Sequence, residues 1–311
     1  MALNTNLTTT GGFTNAIATY YDRRLLDRLE KDLYFDQFGE KKPMPKMSGK
    51  VIQWRRYSNF AANTTPMTEG TIPNGLTLAS TAITATPLQY GDYVAMSDLL
   101  RLHAIDPVIE GAQDVLAYRA ALSIDTIIRN SLDGNLTDQF AAGVAAEVNV
   151  AANLVASEVR KARTALKAAS VREIGSEYQM VIHPHQEYDL QGDTATGGWL
   201  DINKYTSSTP MLKGEVGKIY GTRVVVSPNI LVNANAGAAG VDTYHAYMFG
   251  KSCYGIVDLA GGNLKTYVKQ LGSSGVSDPL DQISTVGHKF MHVTKVLDAT
   301  RGIQIYTASG F

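Results

Sequence analysis

The chain has 311 residues, an apolar fraction of 44% and a net charge of −1. This length predicts about two domains with a sizeable core, and the balanced charge excludes a global attraction to nucleic acid or to an anionic membrane. The single cysteine, Cys253, excludes an intrachain disulfide. Neither a secretory signal nor a run of roughly 20 apolar residues is present, so we expect a soluble protein made in a cytoplasm.

The first segment combines an extended stretch with a helix. Residues 1–15 are rich in Thr, Asn and Gly, whereas Ile17–Phe38 shows leucines at helical spacing and ends before Gly39. A basic stretch follows. One interpretation is contact with nucleic acid or with an acidic patch on a neighbour, and the other is a solvated surface. Its members are Lys41, Lys42, Lys46, Lys50, Arg55 and Arg56.

The segment after this basic stretch predicts a long two-stranded arm. Val51–Tyr57 and Leu88–Met96 are strand-like, and the residues between them are mostly Thr, Pro, Asn, Gly and Ala with one charged side chain, Glu69. Because an isolated hairpin is marginal in water, the arm needs a surface, and another copy of the chain supplies one economically. The predicted subunit-interface residues are Thr64, Thr65, Pro66, Met67, Glu69, Ile72, Pro73, Leu76 and Leu78.

A long helix follows the arm. Asp106-Pro107 is a strong start signal, an apolar stripe continues to about Leu132, and Asp133-Gly134 ends it. At 1.5 Å per residue this rod is roughly 40 Å long. It offers a spine on which sheets could pack.

The remaining chain predicts mixed helices and strands. Asn153 is expected to cap a helix over Leu154–Ala169, and a short helix is expected near Gln186–Leu190. The last strands, Val286–Leu297 and Ile303–Tyr306, are expected to form a hairpin that returns to the long helix. The other predicted strands are Tyr178–Ile182, Lys218–Val226, Tyr244–Phe249 and Leu264–Val268.

Gly250-Lys251-Ser252 follows a strand, as the end of a phosphate-binding loop does. The full pattern needs a glycine where His245 stands, so a strand-end turn is the favoured interpretation. Nucleotide binding at this turn is the rival interpretation from a different class, an enzyme. Cys253 lacks a recognisable His/Asn context and is interpreted as a small buried hydrophobe.

Two histidine pairs are candidate metal ligands. His288 and His292 lie on a strand-like segment, where four residues span about 13 Å, too far to share one ion. The favoured interpretation is strand surface. His183 and His185 bracket Pro184, and metal ligation there would need partners that the sequence does not identify. The sequence therefore predicts no catalytic residue, no cofactor and no metal site.

Several pieces, in this order, resemble tailed-phage major capsid proteins of the Hong Kong 97 fold, and more narrowly the N4-like major capsid family. They begin with TNAIATYYDRRLLDRLEKDLYFDQF, KVIQWRRYSNF and LQYGDYVAMSDLL. They continue with YQMVIHPHQEYDL, GEVGKIYGTRVVVSPNI and DPLDQISTVGHKF. The likeness covers nearly the whole chain and rests on order and spacing.

The resemblance implies an α+β fold with an N-terminal arm, an extended β-hairpin loop, a long spine helix, and peripheral and axial domains. The implied boundaries are 1–47 for the arm, 48–97 for the extended-loop region with its β-hairpin, 98–152 for the peripheral domain with the spine helix, 153–276 for the axial domain and 277–311 for closing peripheral strands.

The implied function is a structural subunit of an icosahedral bacteriophage head, which assembles into hexamers and pentamers around the genome. Its implied partners are other copies of itself and DNA on the inner face, with portal, scaffold and cement proteins as further candidates, and no membrane. The implied location is the virion, after synthesis and assembly in the host cytoplasm. The alternative is an encapsulin-like shell that packages protein cargo.

One departure concerns cross-linking. Some shells of this fold are locked by an isopeptide bond between a loop lysine and a neighbour's asparagine. Here no lysine occurs between Lys50 and Lys161. We therefore expect a shell held by noncovalent contacts.

Overall fold

The computed structural model describes residues 34–47, 49–70, 72, 74–103, 108–193, 218–260, 262, 264–271 and 278–311. The α-helices in these ranges are α1 (Asp98–His103), α2 (Val108–Leu132), α3 (Ala156–Ala168) and α4 (Pro184–Gln191). The strands are β1 (Glu40–Met44), β2 (Ile52–Tyr57), β3 (Ser80–Ala85), β4 (Leu88–Ser97), β5 (Thr137–Phe140), β6 (Tyr178–Ile182), β7 (Lys218–Ile219), β8 (Thr222–Val226), β9 (Val232–Asn233), β10 (Thr243–Phe249), β11 (Tyr254–Leu259), β12 (Lys265–Lys269), β13 (Ile283–His292), β14 (Thr294–Val296) and β15 (Gly302–Thr307).

The largest sheet of the described residues has the strand order β5-β15-β10-β6-β8-β7, with β9 paired to β10. Its central strands are buried on both faces, which explains their nearly continuous apolar sequences. Ala246 and Met248 face the cluster that contains α3, whereas Tyr247 and Phe249 face the cluster that contains the end of α2. Because successive side chains of a strand point to opposite faces of the sheet, β10 contributes to two cores.

The long helix α2 joins two sheets. Ile128 and Leu132 at its C-terminal end pack into the core below the large sheet. Near its N-terminal end, Leu116 packs on Met96 of β4 and Val286 of β13, which belong to the sheet ordered β12-β13-β4. Burying each such side chain stabilises the fold by about 1.5–3 kcal/mol. The predicted apolar stripe and the end at Leu132 are confirmed, while the predicted Asp106-Pro107 start lies outside the described residues.

The arm differs from its predicted pairing. Strands β2 and β4 exist close to the expected bounds, but β2 pairs with β3, with Ile52 opposite Ala85 and Tyr57 opposite Ser80. Strand β4 instead pairs along its whole length with β13. The prediction that β2 and β4 form the two-stranded arm is therefore wrong. Strand β3 was missed because its sequence, STAITA, continues the Thr- and Ala-rich composition of the loop.

The predicted C-terminal hairpin is also wrong. Strand β13 joins β4 and β12, β14 joins β11, and β15 lies between β10 and β5 in the large sheet. Three consecutive segments thus enter three different sheets. Their apolar alternation predicted strands correctly but carried no information about partners.

Two smaller predictions need correction. Lys218–Val226 is not one strand, because Tyr220 and Gly221 adopt left-handed backbone angles (φ 47° and 68°) and turn the chain into the β7–β8 hairpin. Asn153 does not cap α3. Its amide donates to Asp189 (3.1 Å), whereas the Ala156 N–H at the helix start donates to Asp193 (2.9 Å).

Other predictions were confirmed or fall beyond the described residues. The strands near Tyr178–Ile182, Tyr244–Phe249 and Leu264–Val268 are present. Most of the predicted helix Ile17–Phe38 lies outside the described residues, and its end is a single 3₁₀ turn at Phe35–Gln37. Strands β1, β5 and β11 were not predicted.

Candidate assembly surface

The β2–β3 hairpin packs against the body at its base. Ile52, Trp54 and Ala85 are buried together with Met44 of β1 and Val257 of β11. Beyond Trp54 the side chains of both strands become exposed. The hairpin therefore extends from a packed root into solvent.

The residues that connect β2 to β3 form the tip of the hairpin. We call this segment the extended loop (residues 58–79). A hydrogen bond from the Ser58 N–H to the Ala79 carbonyl closes its base (3.0 Å), and the Thr65 N–H donates to the Asn63 side chain (3.0 Å). Backbone hydrogen bonds of a sheet do not continue through the described part of the loop. Its conformation thus rests on short local turns.

The extended loop carries large apolar side chains in solvent. Ile72 is 92% exposed, Leu76 74% and Met67 72%, and Phe60 and Leu78 are also exposed. Scattered apolar residues on a protein surface are ordinary, but several on one projecting segment indicate an interaction surface. Phe60 was not among the predicted interface residues, although an aromatic residue in a polar loop was a usable signal.

The remaining predicted interface residues fit this description where the structure describes them. Thr64, Thr65, Pro66 and Glu69 are exposed. Pro73 lies outside the described residues. The structure thus places the described members of the predicted set on one projecting surface, and their contact with another copy stays a prediction.

The basic stretch divides into two groups of three residues. Lys41 pairs with Asp36 (2.5 Å), and Arg56 pairs with Asp298 (2.6 Å). Lys42 donates to the Gln53 carbonyl (2.8 Å) and lies over the Trp54 ring. These contacts favour a structural role for the three residues.

The other three members are exposed. Lys46 and Lys50 lie in the connection between β1 and β2, and Arg55 lies on the exposed side of β2. The side chains of Lys41, Lys42, Arg55 and Arg56 line one cleft of about 480 Å³ together with Glu40 and Asp298. The structure brings these four residues together in one cleft, and Lys46 and Lys50 are not among its lining residues.

The histidine pairs have structural contacts. His183 precedes α4, and its Nδ1 accepts the His185 N–H (3.2 Å) while Gln186 accepts the His183 N–H (2.9 Å). Burial, and to a smaller extent His185, lowers the pKa of His183 to about 4. His183 thus forms a helix cap.

His288 and His292 lie on β13, as predicted, but the expectation of a strand surface is wrong because both are buried. They face the same side of the strand as Phe290, and the His292 Nε2 contacts the Thr294 hydroxyl (2.9 Å). Within the described ranges, no group of three or more His, Cys, Asp or Glu side chains could hold a metal ion.

Cys253 is buried, and burial raises the pKa of its thiol to about 12. A thiol with this pKa is protonated near neutral pH and is a poor nucleophile. At the neighbouring turn, the Lys251 N–H donates to the Arg172 carbonyl (2.9 Å) rather than pointing into a phosphate-binding cradle. These contacts favour the interpretation of Gly250–Ser252 as a strand-end turn.

The sequence did not predict two buried polar clusters that the structure contains. Asp125 of α2 accepts the backbone N–H groups of Tyr34 and Phe35 (3.1 and 3.0 Å) and the Asn229 amide (2.9 Å). His245 of β10 lies between the carboxylates of Asp133 (2.9 Å) and Glu147 (3.2 Å). Asp125 interrupts an apolar stripe, which was the only signal for the first cluster.

The family model described as phage capsid protein matches residues 80–300 of the chain. The chain belongs to the phage capsid protein family. This capsid protein is a structural subunit of a phage head. No curated protein matches its sequence.

The capsid protein is also similar to solved phage capsids. The capsid of cyanophage P-SCSP1u is 17% identical with a TM-score of 0.73, over 100% of this chain and 97% of that chain. The capsid of Ralstonia phage GP4 is 14% identical with a TM-score of 0.70, over 94% and 96%. The head of Helicobacter pylori bacteriophage KHP40 is 12% identical with a TM-score of 0.70, over 99% of both chains. At these identities the likeness shows the mixed helix-and-sheet fold.

No helix among the described residues is long and apolar enough to cross a membrane.

Proposed function

We propose that the capsid protein is the major subunit of an icosahedral shell of the Hong Kong 97 type, within the N4-like family, and that it assembles into hexamers and pentamers around the phage genome. In this proposal the extended loop of each copy docks on a neighbouring copy. The observation that carries the proposal is the group of large apolar side chains exposed on the extended loop.

The physical argument starts from the free subunit. Exposed apolar side chains such as Ile72 and Leu76 gain about 25 cal/mol for each Å² that docking removes from water. Thr and Pro restrict the backbone of the free loop and so reduce the entropy lost on docking. Once one contact between two copies forms, further contacts become intramolecular and tighten the shell through effective concentration.

The domain arrangement of the proposal follows the resemblance. Residues 1–47 would be the N-terminal arm, 48–97 the extended-loop region, 98–152 the peripheral domain, 153–276 the axial domain and 277–311 its closing strands. Strand β15 belongs to the last segment, but it pairs with β10 in the large sheet. The last segment therefore also contributes a strand to the region proposed as the axial domain. DNA on the inner face, portal, scaffold and cement proteins are its proposed partners. The proposed setting is a virion assembled in the host cytoplasm.

The test is a loop deletion that spares the hairpin. Replacing residues 61–77 by a short Gly-Ser linker leaves β2, β3 and the Ser58–Ala79 hydrogen bond in place. We expect a subunit with wild-type circular dichroism and melting temperature that forms no shells by negative-stain electron microscopy.

A matched control exchanges Thr68 and Thr77 for serine, which keeps the loop length, its apolar residues and the predicted interface residues, and it should form normal shells. Normal shells from the deletion variant would contradict the proposal.

Wild-type particles should also contain DNA, and particles filled with protein cargo would instead support an encapsulin-like compartment.

A further inference from the structure

The turn at Gly250–Ser252 lies in a cleft of about 570 Å³ near the root of the extended loop. Three cationic side chains line it, those of Arg172, Lys251 and Arg301, with one acidic residue, Asp298. Asn59, at the beginning of the extended loop, also lines the cleft.

The cleft is held together by backbone contacts. The Gly250 N–H donates to the Arg301 carbonyl (3.0 Å), and the Lys251 N–H donates to the Arg172 carbonyl (2.9 Å). A Cβ atom on Gly250 would lie 2.4 Å from the Val171 side chain and 2.7 Å from the Arg172 carbonyl, so glycine permits this close approach. The three cationic residues are therefore carried by connected turns.

The single acid of the cleft is already engaged. The Asp298 carboxylate lies 2.6 Å from Arg56 and 3.3 Å from Arg301, and it accepts hydrogen bonds from Thr300. Ion pairs found among the described residues do not involve Arg172 or Lys251, and both side chains are exposed. The cleft thus has spare positive charge for an anionic group.

The extended loop has one complementary charge. Glu69 is the only charged residue from 58 to 91, and it lies among the exposed apolar side chains. When such a loop docks, a lone carboxylate loses water and is costly unless a cation pairs with it. A cationic site on the receptor would offset this cost and would select the place where the loop docks.

We propose that the cleft of Arg172, Lys251 and Arg301 on one copy receives the Glu69 carboxylate of a neighbouring copy. This rests on the proposed docking of the extended loop. Guanidinium groups bind carboxylates through paired, charge-assisted hydrogen bonds, and Lys251 adds a mobile ammonium group. The contact would fix which part of the neighbour the loop engages, while its apolar residues supply most of the affinity.

The test is a charge exchange. Glu69→Lys and Lys251→Glu should each lower the yield of shells at least tenfold at physiological ionic strength, because each places like charges together. The double variant Glu69→Lys/Lys251→Glu should restore at least half of the wild-type yield. Lys295→Glu, on the exposed side of β14, is the matched control and should assemble normally.

Each outcome separates this inference from the proposed function. Normal assembly of both single variants, with the loop deletion still blocking shells, would overturn the cleft and leave the loop as the clamp. Failure of the double variant to regain yield, with wild-type melting temperatures, would also overturn it. If Lys251→Glu and Arg172→Glu form normal shells with less packaged DNA, the cleft serves the genome instead.

Discussion

At the scale of single residues, Asp125 shows how a polar side chain can organise an apolar helix face. It is 3% exposed, and its carboxylate accepts two backbone N–H groups from the chain before β1 and the amide of Asn229. Burial raises its pKa, and the hydrogen bonds from Asn229, Phe35 and Tyr34 oppose that shift. The residue thus connects α2 to segments that are distant in sequence.

Asp125→Ala should lower the free energy of unfolding by about 2–4 kcal/mol, because the buried Phe35 N–H and Asn229 amide lose their acceptor. Chemical denaturation of the unassembled subunit would measure the loss. Asp114→Ala, at an exposed position of the same helix, should change stability by at most about 0.5 kcal/mol. Equal effects of the two substitutions would contradict a special role for Asp125.

At the scale of elements, the end of α2 is joined to the large sheet by a polar cluster. Asp133, directly after α2, contacts His245 of β10 and accepts a hydrogen bond from Gln304 of β15 (2.6 Å). Glu147 contacts His245 from the other side and accepts the hydroxyl of Thr243. The cluster therefore fixes three elements around one buried histidine.

This cluster predicts acid sensitivity. Burial alone would raise the pKa values of Asp133 and Glu147. Hydrogen bonds from His245 and Gln304 instead lower the pKa of Asp133 below its ordinary value of 3.8. Hydrogen bonds from Thr243 and Asn233 likewise lower the pKa of Glu147 below its ordinary value of 4.5. A carboxyl group with a lowered folded-state pKa stabilises the fold above its ordinary pKa. That contribution is lost as the pH falls through the folded-state pKa.

The melting temperature of the unassembled subunit should therefore fall as the pH drops below about 4.5. The double variant Asp133→Asn/Glu147→Gln should melt lower at neutral pH and show a shallower pH dependence, whereas Asp114→Asn should keep the wild-type slope. A double variant with an unchanged slope would show that other carboxylates control acid unfolding.

At the scale of the whole molecule, the capsid protein combines a body of sheets joined by long-range contacts with a projecting hairpin. Helix α2 packs on two sheets, and β13, β14 and β15 enter three different sheets. These long-range pairings bury the body within one subunit. The extended loop, in contrast, leaves apolar surface in solvent, and its residues offer no amine for a covalent link.

Assembled shells should therefore dissociate to monomers when boiled in detergent, because noncovalent contacts alone would hold the loop. Gel electrophoresis without chemical cross-linker would show a single band near the subunit mass of 33.6 kDa. A ladder of covalent oligomers would contradict this expectation.

The sequence by itself determined the local features of this protein. The apolar stripe of α2, the strand-like runs of β2 and β4, and the short, nearly continuous apolar runs of β6 and β10 identify these elements because helix and strand patterns are local properties. The composition of the extended loop likewise marked it as a segment without its own core. The order of the pieces also led to the phage capsid family.

Only the tertiary structure decided which strands pair and which polar groups meet. Strand alternation specifies which face is apolar but not the partner, so the pairings of β3, β4 and β15 could not be derived from pattern. The same holds for the cleft at Lys251, since Arg172, Lys251 and Arg301 are distant in sequence and meet only because backbone hydrogen bonds connect their turns. Contacts between distant residues depend on the three-dimensional path of the chain, which local periodicity does not encode.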